Sequence, residues 1–70
     1  MSLFIVRMRE TADGSTRTRL PGEYTDAHAA TRGVEMMLAG YQSHGRNDEH
    51  GYWWARDHEG REFKFVISGG

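Results

Sequence analysis

The strongest structural signal in this sequence is a pair of short alternating segments at residues 52–56 and 62–67. Both are rich in aromatic and β-branched residues, and they are separated by a polar stretch that contains Gly60. This pattern is typical of a β-hairpin whose three-residue loop ends in a glycine with positive φ. We therefore predict two strands joined by the loop 58–60.

The loop length fixes how the two strands of this hairpin face each other. One face of the predicted pair is entirely apolar, and the other joins opposite charges and sets a cation beside an aromatic ring. The predicted pairs are Trp53 with Phe65, Ala55 with Phe63, Arg56 with Glu62, and Trp54 with Lys64.

A second hairpin is predicted at residues 3–20, where strands 3–10 and 15–20 flank a turn with Asp13 and Gly14. A two-residue Asp13-Gly14 turn would pair Glu10 with Arg17. A three-residue loop at 12–14 would instead pair Val6 with Leu20 and Met8 with Thr18. We favour the three-residue loop because it sets Leu20 on the same face as the apolar residues Phe4, Val6 and Met8.

Between the hairpins the spacing of apolar residues indicates one helix. Pro21-Gly22 ends the preceding strand, and Thr25 or Asp26 is a suitable N-cap. The helix is expected to run to about Ser43, with Gly45 as its stop and residues 42–51 as a polar loop. The apolar stripe at three- and four-residue spacing is Ala27, Ala30, Val34, Met37, Leu38 and Tyr41.

These elements predict an α+β fold in one domain, 1–70, with an ordered core at about 3–67. The order β-β-α-β-β gives a four-stranded antiparallel or mixed sheet, strand order 2-1-4-3, with the helix packed on one face. The expected core is Phe4, Val6, Met8, Leu20, Val34, Met37, Leu38, Tyr41, Trp53, Phe63, Phe65 and Ile67.

Composition narrows the function classes. The 70 residues include no cysteine, which excludes disulfides, cysteine-bound zinc, iron–sulfur clusters and thiol nucleophiles. The longest apolar run has the four residues Leu3, Phe4, Ile5 and Val6, far fewer than the roughly 20 that a membrane span needs. We therefore expect a cytoplasmic protein with no membrane association.

Catalytic and metal sites have little support. His44 and His50 lie in a predicted loop with a spacing that matches no familiar zinc signature, and solvated loop histidines are the simpler interpretation. Ser43-His44 and Asp57-His58 are neighbours in sequence, which directs their side chains apart rather than into a relay. We expect no metal, no cofactor and no enzymatic activity.

A single helix covers only one side of a sheet, so the other side should be open. In the favoured register Arg9 faces Arg17 and Arg7 faces Arg19, and like charges in such pairs need an anionic or acidic partner. Exposed apolar side chains beside them would supply buried area. The predicted interaction face is Ile5, Arg7, Arg9, Arg17, Arg19, Tyr52, Trp54, Lys64 and Val66.

Three kinds of partner would fit this face. The first is a second copy of the chain, which makes the protein a small, non-catalytic, bacterial-type interaction domain that forms a homodimer. The second is a nucleic acid, with bases on Trp54 and Tyr52 and phosphates on arginines. The third is an acidic protein. The small-residue helix stripe Ala29, Gly33, Met36 and Gly40 is an alternative dimer surface.

The sequence ends in Gly69-Gly70 after a β-β-α-β-β pattern of about 70 residues. In this it resembles the ubiquitin-like and bacterial sulfur-carrier proteins of the β-grasp fold. The resemblance implies a parallel pairing of the first and last strands and activation of the terminal carboxylate. It rests on topology and two residues, and the tight hairpin at 52–67 departs from the longer final connection of those families.

Overall fold

A computed structural model describes residues 2–69 and shows a single small α+β domain. One helix packs on an antiparallel sheet, as the sequence predicts. The elements are β1 (Leu3–Thr11), β2 (Gly14–Arg19), α1 (Ala27–Leu38), β3 (Ser43–Asn47), β4 (Tyr52–Arg56) and β5 (Glu62–Gly69).

The sheet has five strands in the order β2-β1-β5-β4-β3, so the predicted number of four is wrong and the order differs by the added strand. The four predicted strands correspond to β1, β2, β4 and β5 and keep their predicted neighbours. The additional strand, β3, falls in the segment expected to be a polar loop, and it pairs antiparallel with β4 at the sheet edge. Its residues carry no apolar alternation. The strand forms because its backbone hydrogen-bonds to β4, which no local sequence pattern reveals.

The register of the β4–β5 hairpin is confirmed. Trp53 lies opposite Phe65, Trp54 opposite Lys64, Ala55 opposite Phe63, and Arg56 opposite Glu62. The Asp57 amide donates to the Arg61 carbonyl at 3.0 Å, which closes the loop at residues 58–60, and Gly60 has a φ of +82°. Only glycine adopts this conformation without strain.

The predicted register of the β1–β2 hairpin is wrong by one residue. Thr11 lies opposite Gly14, so the loop is the two residues 12–13, and Val6 and Met8 lie opposite Arg19 and Arg17. The Leu20 amide donates to the carbonyl of Ile5, not Val6, at 2.9 Å. Leu20 does pack against the core, but through Ile5.

The predicted orientation of β1 is also wrong, because its two sides are exchanged. Its pairing with β5 sets Ile5 opposite Ile67 and Arg7 opposite Phe65, on the side of the sheet that α1 covers. Phe4, Val6 and Met8, predicted to pack under the helix, alternate with Ile5 and Arg7 and therefore lie on the opposite side. Val6 is buried there, while Phe4 and Met8 are half-buried.

The core consists of one side of the sheet and three buried residues of α1: Ala30, Val34 and Leu38. Asp26 is the N-cap, and its carboxylate accepts the Ala29 amide hydrogen at 2.8 Å. The helix ends at Leu38 rather than near Ser43, because tight turns follow it. These turns return Tyr41 to the core, where its ring centroid lies 5.8 Å from that of Phe65.

Tyr24 closes one side of the helix. Its backbone exchanges two hydrogen bonds with Leu3, at 2.8 and 2.9 Å, and its ring lies against Gly33. A Cβ added at Gly33 would come within 2.6 Å of the Tyr24 hydroxyl oxygen. The small-residue stripe Ala29, Gly33, Met36 and Gly40 is thus partly covered by the chain's own tyrosine.

This contact predicts that two glycine-to-alanine substitutions differ in their effect on the stability of the fold. Gly33→Ala should destabilise the fold although alanine is normally better in a helix by about 1 kcal/mol, because its Cβ would displace Tyr24. Gly40→Ala is the matched control, since its Cβ would meet only the Met37 carbonyl oxygen at 3.5 Å. Urea unfolding should show a lower midpoint for Gly33→Ala alone, and equal midpoints would contradict the Tyr24 contact.

Candidate functional site

The side of the sheet that faces away from α1 is covered by no element of residues 2–69. We call it the open face. It combines apolar side chains in its middle with charged ones toward its edges. Its residues are Phe4, Val6, Met8, Glu10, Arg17, Arg19, Tyr52, Trp54, Arg56, Glu62, Lys64 and Val66.

The middle of the open face is an apolar row that crosses the strands. Val6 lies opposite Val66, and Met8 lies opposite Lys64 beside it. Met8, Tyr52 and Val66 line a concavity of about 530 Å³ that opens to solvent. The rest of its lining is polar or charged: Glu10, Ser15, His50, Glu62 and Lys64. The concavity therefore offers a partner both apolar and charged contacts.

Most cations of the open face are paired within the chain. Arg56 and Glu62 lie 3.2 Å apart, and Lys64 and Glu10 lie 3.9 Å apart. Arg19 Nη2 lies 3.4 Å from a carboxylate oxygen of Glu23, just beyond β2. These exposed pairs add little stability, but they reduce the positive potential of the face.

Two of these cations also lie over aromatic rings. The Arg19 guanidinium is 4.0 Å from the centroid of Phe4, and the Lys64 ammonium is 5.0 Å from that of Tyr52. On the outer side of Tyr52 the His50 ring stacks at 6.3 Å. The charged side chains therefore lie along the face instead of extending into solvent, and they cover part of the Phe4 and Tyr52 rings.

The indole of Trp54 lies directly on Gly45 of the edge strand β3. The two residues are cross-strand partners, and a Cβ added at Gly45 would come within 2.8 Å of Trp54 Cζ2. Trp54 is therefore half-buried, with one ring face on the backbone of β3. Gly45 was predicted to stop the helix, and its actual role is to make room for this ring.

The nine residues predicted for the interaction face do not lie together. Ile5 is 1% exposed and belongs to the core, so its predicted place on the open face is wrong. Arg7 and Arg9 lie on the helix side of the sheet, opposite Thr18 and Thr16 rather than Arg19 and Arg17. The six that share the open face are Arg17, Arg19, Tyr52, Trp54, Lys64 and Val66.

Sequence reasoning missed Phe4, Val6, Met8 and Glu10 as members of the open face. The alternation of β1 separates its residues into two sets correctly, but both sets contain apolar side chains. The set with more apolar residues was assigned to the helix side. Arg7 and Arg9 can occupy the helix side because β1 continues past the part of the sheet that α1 covers.

Arg7 and Arg9 line a second, polar depression of about 320 Å³, which we call the arginine pocket. Both guanidinium groups lie over the ring of Phe63, at 5.4 and 5.9 Å from its centroid. Arg61 enters from the β4–β5 loop. The residues that line this pocket are Arg7, Arg9, Thr16, Thr18, Arg61 and Phe63.

Arg61 is held in place by two carboxylates. Its Nε donates to Asp57 at 2.7 Å, and its Nη2 lies 3.1 Å from Glu59. The side-chain hydrogen bond with Asp57 raises the pKa of Arg61 above its ordinary value. Desolvation raises the pKa of Asp57, but hydrogen bonds from Arg61 and the Glu59 amide outweigh it and lower that pKa overall.

Within residues 2–69, no three histidine, aspartate or glutamate side chains come together as metal ligands. His44 lies exposed on β3, and His50 stacks on Tyr52. In the same range, no helix has both the length and the apolar character needed to cross a membrane.

The strand pairing differs from that of the β-grasp families. β1 and β5 are antiparallel, with Leu3 opposite Gly69, whereas the resemblance implies a parallel pair. Gly69 is part of β5, and its Cα approaches the Leu3 side chain closely. Gly70 lies outside the described residues.

No protein-family model, curated protein or solved structure shows significant similarity to this chain. The open face and the arginine pocket are therefore the features from which a function can be inferred.

The Trp54–Gly45 contact predicts that a side chain at position 45 disturbs the open face. Gly45→Val should lower the free energy of unfolding by roughly 1–3 kcal/mol, because the new side chain must push the indole away. Ser43→Val, on the same strand and opposite Arg56, is the matched control. Unfolding followed by tryptophan fluorescence measures both, and a Gly45→Val variant as stable as Ser43→Val would refute the contact.

Proposed function

We propose that this chain is a non-catalytic interaction domain that forms a homodimer through the open face of its sheet. The observation that carries the proposal is the row of apolar side chains on a side that the chain's own helix does not cover. Val6 is already buried in this row, and the apolar surface left for a partner belongs to the half-buried Met8, Tyr52, Trp54 and Val66. Burying such a row against a partner is favourable by the hydrophobic effect.

The dimensions of the face match a small but specific interface. Five strands about 4.8 Å apart make a sheet about 24 Å wide. The molecule measures 25 Å along each of its two shorter axes. Two copies packed face to face would bury roughly 1,200 Å² in total, which is the lower end of the range for specific complexes.

The charges of the open face favour a second copy of the chain over a partner whose surface charges all have the same sign. The open face carries both cations and carboxylates, including Arg17 and Arg19 on β2 and Glu10 and Glu62 near one end. A surface with both signs can complement itself across a two-fold axis, where each group meets a different group of the other copy.

A nucleic acid is a weaker match to the same face. Arg19, Arg56 and Lys64 already have carboxylate partners, and the whole chain has a formal charge of −1. Phosphate binding would have to displace these partners. A purely acidic protein would likewise have to displace the carboxylates that already pair with these cations. The cytoplasm remains the expected compartment.

The dimer is tested by sedimentation equilibrium across a range of protein concentrations. The wild type should associate, and Trp54→Ala should weaken association by about 2 kcal/mol, or roughly thirtyfold in Kd, if the indole is a central anchor. Val66→Thr, which keeps the side-chain shape but adds a hydroxyl, should weaken it as well.

Met36→Ser is the matched control for general surface hydrophobicity. Met36 is 80% exposed on α1, on the other side of the molecule from the open face, so its loss should leave Kd unchanged. A wild type that stays monomeric at high concentration would refute the proposal. So would a Kd that depends on Met36 and not on Trp54 or Val66.

Salt distinguishes the dimer from a complex with nucleic acid. High salt should preserve the dimer, whereas binding to an added oligonucleotide would weaken steeply as the salt concentration rises.

A further inference from the structure

The arginine pocket gathers positive charge that the chain does not neutralise. Within residues 2–69, neither Arg7 nor Arg9 has a carboxylate oxygen within the 4.0 Å of an ion pair. Both project from the same side of β1, two residues apart, and both lie within 6 Å of the centre of the Phe63 ring. Two neighbouring like charges repel each other unless an anion joins them.

Arg61 adds a third guanidinium to the same depression. Its ion pairs with Asp57 and Glu59 position the group from behind and offset two of the three positive charges, which leaves the pocket with a net charge of about +1. A guanidinium has five N–H donors, so Arg61 keeps donors for a ligand after both contacts are made.

The remaining polar groups of the pocket are hydroxyls. Thr18 and Thr16 lie on β2 opposite Arg7 and Arg9, respectively. The Thr18 hydroxyl can donate to an oxyanion, whereas the Thr16 hydroxyl donates to the Arg9 carbonyl at 3.4 Å and would have to turn away from it to do so. Phe63 forms an apolar floor that holds the guanidinium groups over its ring, so less side-chain freedom is lost when a ligand binds.

We propose that the arginine pocket binds one phosphate group, either free phosphate or the phosphate of a small monoester. Guanidinium groups bind phosphate oxygens in pairs of parallel hydrogen bonds, and hydroxyl donors complete the coordination of a tetrahedral anion. The volume of about 320 Å³ lies at the small end of ligand sites and suits one phosphate with a short substituent. The site lies on the helix side and does not depend on the proposed dimer.

The test is a titration of the ¹⁵N-labelled protein with inorganic phosphate, followed by the backbone amides of β1, β2 and the β4–β5 loop. Parallel titrations use glycerol 3-phosphate and glycerol. Phosphate should shift the amides near Arg7, Arg9, Thr16 and Arg61, and glycerol should not. Tighter binding of glycerol 3-phosphate than of phosphate would identify a monoester as the ligand class, and equal or weaker binding would identify free phosphate.

Two variants make the result specific. Arg9→Gln, which removes the charge and leaves a shorter, unbranched polar side chain, should weaken phosphate binding about tenfold or more. Arg32→Gln removes the same charge from the exposed side of α1 and should change the affinity less than twofold. A wild type that shows no saturable shift up to about 20 mM phosphate would overturn the proposal. A Kd on the order of 20 mM is the weakest that still counts as specific binding here. Equal losses in the two variants would overturn it too, because they would show attraction to net charge alone.

The phosphate site and the dimer can fail separately. Trp54→Ala should bind phosphate as the wild type does, since the indole lies on the opposite side of the sheet. If Trp54→Ala loses both dimerisation and phosphate binding while it remains folded, the pocket is not the independent site proposed here.

Discussion

The pairing of β5 between β1 and β4 determines which side chains lie on each side of the sheet. Phe63, Phe65 and Ile67 alternate along β5 and lie on the helix side of the sheet. Because paired residues share a face, this alternation sets Trp53 and Ala55 of β4 and Ile5 of β1 on the same side. A slip of one residue in either pairing would expose these buried residues, so both registers are strongly specified.

The size of the helix explains why both candidate surfaces exist. α1 buries Ala30, Val34 and Leu38 against one side of a five-stranded sheet, and it leaves the other side without cover. It also leaves the far end of its own side uncovered, where Arg7 and Arg9 lie over Phe63. The apolar open face and the cationic arginine pocket are thus two consequences of one short helix on a wide sheet.

The sequence predicts those parts of the fold in which local patterns agree with one another. The β4–β5 hairpin is predicted correctly because its glycine loop and both sets of cross-strand pairs favour one register. β1 is not, because Phe4, Val6 and Met8 are as apolar as Leu3 and Ile5, and only the pairing with β5 decides between them. β3 is held by backbone bonds to β4. The location of Trp54 on the open face follows from its hairpin, whereas the pairing of Lys64 with Glu10 depends on contacts between distant strands.

In the proposed homodimer, a second copy of the chain covers the open face. Isotope-filtered nuclear Overhauser spectra of a mixture of ¹³C-labelled and unlabelled protein test it directly, because they report only contacts between copies. A homodimer through the open face should give intermolecular signals from the methyl groups of Val6, Met8 and Val66 and from the Trp54 indole. Signals confined to Met36 and its neighbours on α1, or no intermolecular signals at millimolar concentration, would contradict it.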